Sequence, residues 1–249
     1  MSVDILWLGQ ATFRLSISGV QVLIDPWFSP HSDRLIPPPS LAVADGVDLL
    51  LITHEHLDHL DEEFLPVLAE RSPAAHVVIP QCLVSRVEPH FDTVTGVVPG
   101  DTVELEELTV DVVPAVHGVT MADAYGDGSS LGEGPRFVGY VLRGDPVVYH
   151  SGDTIPSPQV TSAFAGDRVG VALLPINGRD EERERAGLVG NLDAREAVEL
   201  ALLVNAHTLI PFHWDGFEGN TASPADAVSA ADGRIDVLVP VRGHVVTLG

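Results

Sequence analysis

The chain has 249 residues, of which 45% are hydrophobic, and a formal net charge of −23 from 36 acidic and 13 basic side chains. All 13 basic residues are arginine, so the sequence excludes Schiff-base catalysis by lysine and a phosphate-binding loop that ends in Gly-Lys-Ser/Thr. The acidic balance also argues against nucleic acid as a partner, because such binding depends on clustered cations.

The length and apolar content are typical of one large α/β domain, and we predict a single domain over residues 1–249. Proline and glycine are scattered between apolar runs and form no linker-like block. The first ten residues lack the basic flank of a signal peptide, and no apolar run approaches the roughly 18 residues of a membrane helix. We therefore expect a cytoplasmic protein without a membrane span, and self-association stays open.

Short runs rich in β-branched residues predict strands in the first half, at 3–9, 12–19, 20–26, 47–54, 76–80, 103–118, 136–144 and 146–154. Helical periodicity marks 60–71 and 193–206, and more weakly 224–231. Asp193 and Glu196 have the spacing of a capping box. Further strands are predicted at 169–176, 207–213, 235–240 and 244–249. This alternation favours two packed sheets with helices outside.

The densest set of candidate metal ligands follows the predicted strand at 47–54. Four candidates fall within six residues, namely His54, His56, Asp58 and His59. A turn that leaves a buried strand can direct several imidazoles and a carboxylate at one point, as divalent transition metals require. Surface histidines also cluster by chance, but the flanking strand and predicted helix place this cluster in ordered structure.

Three later candidates, His117, Asp153 and His213, stand at the ends of later predicted strands. Each one alone has an ordinary structural explanation, as a turn residue or a hydrogen-bonded core residue. Together with the first cluster, they favour one shared metal site along the rim of the sandwich.

Residues 54–59 match the His-x-His-x-Asp-His signature, and with the three later candidates the chain resembles the metallo-β-lactamase superfamily. The stretches WLGQATFRL and VQVLIDPWFSP are also similar to the start of family members. The resemblance covers nearly the whole chain. It implies an α/β fold of the αββα type, in which two mixed sheets pack face to face with helices outside.

The resemblance also implies two divalent metal ions and a ligand set. One ion would bind His54, His56 and His117, the other would bind Asp58, His59 and His213, and Asp153 would bridge them. Zinc suits a histidine-rich set, whereas manganese or iron fits histidine mixed with carboxylate and no thiolate. Such a pair activates water for hydrolysis. Asp58 and Asp153 are then the catalytic candidates, because they hold the metals and because Asp58 or a water can return the proton to the leaving group.

The segments LLPINGRD, GNLDAREAVELA and LIPFHWDGFEGN resemble the branch that contains L-ascorbate-6-phosphate lactonase. This resemblance implies a small-molecule substrate, namely a lactone or cyclic ester of a sugar acid that carries a phosphate in some cases. Asn177, Arg179 and Asn191 lie in these segments and are candidates for shaping the pocket, and Arg136 and Arg179 are candidates for binding a phosphate. The glycine-rich run 125–135 is either a flap over the site or a disordered surface loop.

Two alternatives stay open. The same pair of metals serves a phosphodiesterase that acts on a small or lipid-derived diester. A protein of another class, which keeps the metals and senses a ligand without turnover, is disfavoured by the complete ligand set. A di-iron redox centre would usually need a flavin partner or domain, and 249 residues leave no room for a second domain.

Overall fold

The computed structural model describes residues 2–105, 107–132, 134–164 and 168–249. The strands in these ranges are β1 (Val3–Gly9), β2 (Thr12–Ile17), β3 (Val20–Ile24), β4 (Leu49–Leu51), β5 (His76–Pro80), β6 (Thr93–Val97), β7 (Thr102–Leu105), β8 (Leu108–Pro114), β9 (Val138–Leu142), β10 (Val148–His150), β11 (Val171–Pro175), β12 (Thr208–Phe212), β13 (Asp236–Val237) and β14 (Val245–Leu248). The α-helices are α1 (Leu65–Arg71), α2 (Val84–Val87), α3 (Pro158–Ser162), α4 (Glu181–Arg185), α5 (Ala194–Leu203) and α6 (Pro224–Ala231).

The strands form two mixed sheets of seven strands each. The first has the order β14-β1-β2-β3-β4-β5-β6, with antiparallel pairing from β14 to β3 and parallel pairing from β3 to β6. The second has the order β13-β12-β11-β10-β9-β8-β7, with parallel pairing from β13 to β10 and antiparallel pairing from β10 to β7. The predicted fold class is confirmed.

Three apolar clusters separate the layers. The central cluster lies between the sheets and contains the fully buried Trp7 and Phe212. A second cluster joins the outer face of the first sheet to α1 through Leu68, and a third joins the outer face of the second sheet to α5 through Ala201. Successive side chains of a strand point to opposite faces of its sheet, so the strands contribute apolar side chains both to the central cluster and to the two outer clusters. A sandwich of four layers requires this arrangement. Among the described helices, none has the length and apolar character to cross a bilayer.

Most predicted elements are confirmed, and four differences are informative. The run 103–118 was expected to be one strand, but it folds as the hairpin of β7 and β8, with Leu105 opposite Leu108. The sequence analysis missed β6, because its residues are partly exposed and include Gly96. The strand predicted at 235–240 pairs only over β13. The helix predicted to begin at residue 60 begins at Leu65, because the chain from 56 to 61 turns around the candidate site.

The predicted capping box of α5 is confirmed. Asp193 Oδ1 accepts a hydrogen bond from the Glu196 amide at 2.8 Å, and Glu196 Oε2 accepts from the Asp193 amide at 3.0 Å. Both bonds satisfy amides that the first helical turn would otherwise leave without an intrahelical acceptor.

We expect Asp193→Ala to lower the free energy of unfolding by about 1 kcal/mol, because it removes the acceptor for the Glu196 amide. Urea unfolding followed by circular dichroism measures the change. Ser223 is the matched control, because it precedes α6 and its side chain makes no capping hydrogen bond. Ser223→Ala should therefore cost much less, and equal losses in both variants would contradict this account of the cap.

Candidate metal centre

The seven predicted metal ligands gather at one edge of the sandwich, where β4, β8, β10 and β12 end. They form two groups, and within each group one potential ligand atom per residue lies within 4.8 Å of the others. The first group comprises His54, His56, His117 and Asp153, and the second comprises Asp58, His59 and His213.

Imidazole nitrogens of the first group lie at the spacing that a shared ion requires. His54 Nε2 is 3.0 Å from His56 Nδ1, and His117 Nε2 is 3.3 Å from the same atom. Nitrogens bound to a tetrahedral zinc at about 2.05 Å are about 3.3 Å apart. The three side chains therefore fit a common divalent cation.

Asp153 lies between the two groups. Its Oδ1 is 3.4 Å from His59 Nε2, and its Oδ2 is 3.6 Å from His117 Nε2 and 3.1 Å from His213 Nε2. In the second group, Asp58 Oδ2 is 3.2 Å from His213 Nε2 and 3.7 Å from His59 Nε2. A carboxylate that faces ligands of both groups has the geometry of a bridge between two ions.

Three buried atoms of this centre have no hydrogen-bond partner among the described residues, namely His59 Nε2, His117 Nδ1 and Asp153 Oδ1. Such atoms are costly in a folded protein unless a ligand satisfies them. All three atoms belong to side chains that divalent transition metals accept as ligands. The donor set and its unsatisfied atoms therefore fit metal ions, whereas the roles of the individual residues stay predictions.

The electrostatics keep both carboxylates ionised. Burial alone would raise the pKa of Asp58 and Asp153, but His59 and His213 outweigh it, so both carboxyl pKa values fall below their ordinary range. Burial also opposes protonation of His213, yet Asp153 and Asp58 raise its pKa to about 9. At His117 burial dominates and lowers the pKa to about 3. Metal ligands must be deprotonated, so the ionised carboxylates and neutral His117 suit that role, whereas an ion that binds His213 would displace the proton of its ring.

Asp25, which the sequence analysis did not single out, orients a histidine of each group. Its Oδ2 accepts from His59 Nδ1 at 2.7 Å and from the Thr53 hydroxyl at 2.7 Å. Thr53 Oγ1 in turn lies 3.0 Å from His54 Nδ1 and accepts from it, because the hydroxyl proton is already donated to Asp25. Both histidines therefore present Nε2 to the centre, with Asp25 and Thr53 as their outer partners.

Gln10 is a second residue that sequence reasoning missed. Its Nε2 donates to Asp58 Oδ2 at 2.8 Å and lies 3.1 Å from the His213 ring, and its backbone carbonyl accepts from the His213 amide at 3.2 Å. Gln10, Asp25 and His213 all have left-handed backbones, with φ of 50°, 46° and 59°. Such strain at non-glycine residues is concentrated at functional sites. The only sequence signal was that Gln10 and Asp25 fall in the WLGQAT and LIDP stretches of the family resemblance.

A cavity of about 630 Å³ lies above the two groups. His56, Asp58, His117, Asp153 and His213 line it together with side chains that are not ligand candidates. These other lining residues are 32–35, Leu57, Val119, 187–189, Phe217, Glu218 and Asn220. The candidate centre is therefore open to a small molecule.

Two predicted pocket residues lie behind the cavity wall. Asn191 Nδ2 donates to Asn177 Oδ1 at 3.1 Å, and Asn177 Nδ2 donates to Asn220 Oδ1 at 2.9 Å. Asn177 and Asn191 are buried, whereas Asn220 lines the cavity. The buried pair therefore supports Asn220, which the sequence analysis did not identify. Because the Asn220 carbonyl is occupied, its amide NH₂ is the group that it can offer to a ligand.

The two arginines predicted to bind phosphate face carboxylates. Arg179 contacts Glu196 through two nitrogens, both at 2.6 Å, and Arg136 Nε donates to Glu55 Oε1 at 2.6 Å. Neither arginine is among the described residues that line the cavity. Their cationic groups are thus committed to ion pairs within the protein.

The glycine-rich run 125–135 contacts the chain behind the candidate site, and residue 133 lies outside the described residues. Gly126 forms an antiparallel bridge with His117, and the Tyr125 hydroxyl donates to Glu184 at 2.6 Å. None of the described residues of this run lines the cavity. The run therefore supports His117 from behind, and the cavity walls come from other loops.

We expect Asp25→Asn to weaken metal binding by about 10- to 100-fold, because it removes the charge that orients His59 directly and His54 through Thr53. Competition with a chromophoric chelator measures the affinity. Asp61→Asn is the matched control: Asp61 is equally buried, but it accepts from the Phe28 and Ser29 amides. A thermal-melting measurement on both variants separates lost stability from lost affinity, and equal metal binding by both would refute the role of Asp25.

Comparison with known proteins agrees with the geometry. A family model described as a beta-lactamase superfamily domain matches residues 21–214. A UPF0173 metal-dependent hydrolase of Methanopyrus kandleri is 34% identical over 86% of this chain and 84% of its own length. One from Caldivirga maquilingensis is 32% identical over 97% of this chain and 96% of its own. The structure of a metallo hydrolase from Ignicoccus hospitalis superposes with a TM-score of 0.78 at 24% identity, covering 100% of this chain and 99% of that one. The chain therefore belongs to the β-lactamase superfamily and, within it, to the UPF0173 family of metal-dependent hydrolases.

Proposed function

We propose that this chain hydrolyses a small lactone or other cyclic ester at a centre of two divalent metal ions. The observation that carries the proposal is the pair of ligand groups with Asp153 between them, on the floor of an open cavity. When bound, such ions would lower the pKa of a bound water to near neutrality and polarise the oxygen under attack. Zinc is the first choice because five of the seven ligand candidates are histidines.

The side chains have separate tasks in this scheme. His54, His56 and His117 would hold one ion, Asp58, His59 and His213 the other, and Asp153 both. Asp58 has one oxygen within 2.8 Å of Gln10 Nε2, which fixes that carboxylate beside the cavity. Its lowered pKa keeps Asp58 ionised at rest, so Asp58 or a water beside it would hold the proton only transiently before returning it to the leaving group. Asn220 also lines the cavity and can donate a hydrogen bond to the substrate.

The lactone is chosen over a phosphodiester for two reasons. The segments in the last third of the chain resemble the lactonase branch of the superfamily. A phosphate also needs cationic partners, and Arg136 and Arg179 are engaged by Glu55 and Glu196.

Three further expectations stay predictions, namely a single domain over residues 1–249, a cytoplasmic location and self-association.

Elemental analysis should find close to two equivalents of a transition metal per chain, and Asp153→Ala should lower both the metal content and the rate of hydrolysis. We expect the rate to fall at least about 100-fold, because metal activation is worth several kcal/mol. Asp33→Ala removes a carboxylate that lines the same cavity but belongs to neither ligand group, and it should keep the full metal content. Unchanged metal content in Asp153→Ala would contradict the bridging role.

A substrate screen separates the two hydrolytic functions. With zinc or manganese supplied, the chain should hydrolyse lactones faster than phosphodiesters, as measured by pH-stat titration with the Asp153→Ala variant as background. Faster hydrolysis of the phosphodiesters would contradict the proposed lactonase activity and would indicate that the same centre acts as a phosphodiesterase. Stoichiometric metal with no hydrolysis of either class would favour a ligand-binding role.

A further inference from the structure

Three exposed leucines line the mouth of the cavity. Leu35, Leu57 and Leu188 are 54%, 39% and 39% exposed, and all three line this one cavity although they come from separate parts of the chain. Exposed large hydrophobic side chains are normally scattered singly, whereas a contiguous exposed patch marks a binding site. The partly buried Val119 and Phe217 extend the same lining.

The wall that carries Leu35 is held in place by packing and hydrogen bonds. The Arg34 guanidinium lies 3.8 Å above the Trp27 ring, and Trp27 stacks on Phe217 at 4.8 Å between ring centroids. The Leu35 amide donates to the Gly216 carbonyl at 2.9 Å. A wall fixed in this way is formed before a ligand arrives, so less binding energy is lost in ordering it.

The charges around the cavity disfavour an anionic ligand. Arg34 is the sole arginine among the described residues that line it, and its three guanidinium nitrogens donate to the backbone carbonyls of Trp27, Ser29 and Ile36 at 3.0 Å. Two exposed carboxylates, those of Asp33 and Glu218, line the same cavity. A negative group away from the metal centre would meet these two carboxylates, and the one arginine among the described lining residues already directs three of its five N–H groups at backbone carbonyls.

We infer that the cavity takes an uncharged substrate whose alkyl or aryl chain packs against Leu35, Leu57 and Leu188 while its reacting carbonyl faces the ligand groups. The inference rests on the proposed function only for the position of the reacting group. It makes an alkyl-substituted lactone or ester a better substrate than a sugar-acid lactone that carries a phosphate.

Binding of simple hydroxamates tests the inference without any turnover. Isothermal titration of the zinc-loaded full chain would compare acetohydroxamate, butanohydroxamate and octanohydroxamate with suberic monohydroxamate, an eight-carbon probe that ends in a carboxylate. The affinity should rise about two- to fourfold for each methylene that the leucines cover. The terminal carboxylate should weaken binding at least about tenfold relative to octanohydroxamate. Equal affinity for the two-carbon and eight-carbon probes, or for the two eight-carbon probes, would overturn the inference.

Variants of the mouth locate the effect. Leu35→Ser combined with Leu188→Ser should weaken octanohydroxamate binding about tenfold and leave acetohydroxamate binding unchanged. Leu203→Ser is the control, because Leu203 is 64% exposed on α5 and does not line the cavity. If the double variant bound octanohydroxamate with wild-type affinity, the alkyl chain of the probe would have to contact another surface, and the inference would be refuted.

The outcomes distinguish the two proposals. Chain-length dependence without hydrolysis of any ester or lactone would reject the proposed function and support the inference about the cavity. Hydrolysis at a rate that does not depend on the length of the alkyl chain would support the proposed function and reject the inference about the cavity. Failure of every hydroxamate to bind the zinc-loaded chain would overturn both.

Discussion

The buried carboxylate of Asp25 joins the two halves of the candidate centre. It accepts three hydrogen bonds, from the Thr53 amide, the Thr53 hydroxyl and His59 Nδ1, so its charge is satisfied without solvent. Through the Thr53 hydroxyl the same charge also fixes the ring of His54. Two hydrogen bonds hold the backbone of Asp25 in its left-handed conformation. The Asp25 amide donates to the Leu51 carbonyl, and the Thr12 hydroxyl donates to the Asp25 carbonyl. Ligands fixed by outer hydrogen bonds are oriented before an ion binds, and this preorganisation is what a tight metal site requires.

The fold supplies the rest of that preorganisation. The turns that carry the ligand candidates follow strands of both sheets. The three apolar clusters pack against these sheets and fix the positions of their strands. The turn with Asp153 depends on Gly152, whose φ is +60° and whose Cβ position would lie 2.7 Å from the Val138 carbonyl oxygen. A side chain there would push the turn away from β9 and move Asp153 from its position between the ligand groups. The position of Asp153 between the ligand groups thus depends on close backbone packing at Gly152.

The ligand candidates could be predicted from the sequence because four of them fall within six residues and the other three stand at the ends of strands with clear apolar alternation. The outer residues were not accessible, because their roles depend on pairings that no local pattern records. Asp25 and Thr53 are 28 residues apart, and Gln10 and Asp58 are 48 apart. For the same reason Arg136 resembled a phosphate ligand until its partner 81 residues away was known. Local periodicity also failed at β6, where partial exposure and Gly96 weaken the apolar signal.

The arrangement of charge follows from the same pairings. Glu55 stands between two ligand candidates in the chain, yet its carboxylate faces Arg86 at 2.9 Å and Arg136 at 2.6 Å. Its side chain is only 13% exposed, so these pairs are less screened than surface ion pairs and hold the turn at 54–59 against the rest of the fold. In a chain without lysine, cations used in this way are not available to bind a substrate. In the function that we propose, positive charge at the reacting group would come chiefly from bound metal, and the leucine-lined mouth would select the remainder of the substrate by its apolar surface.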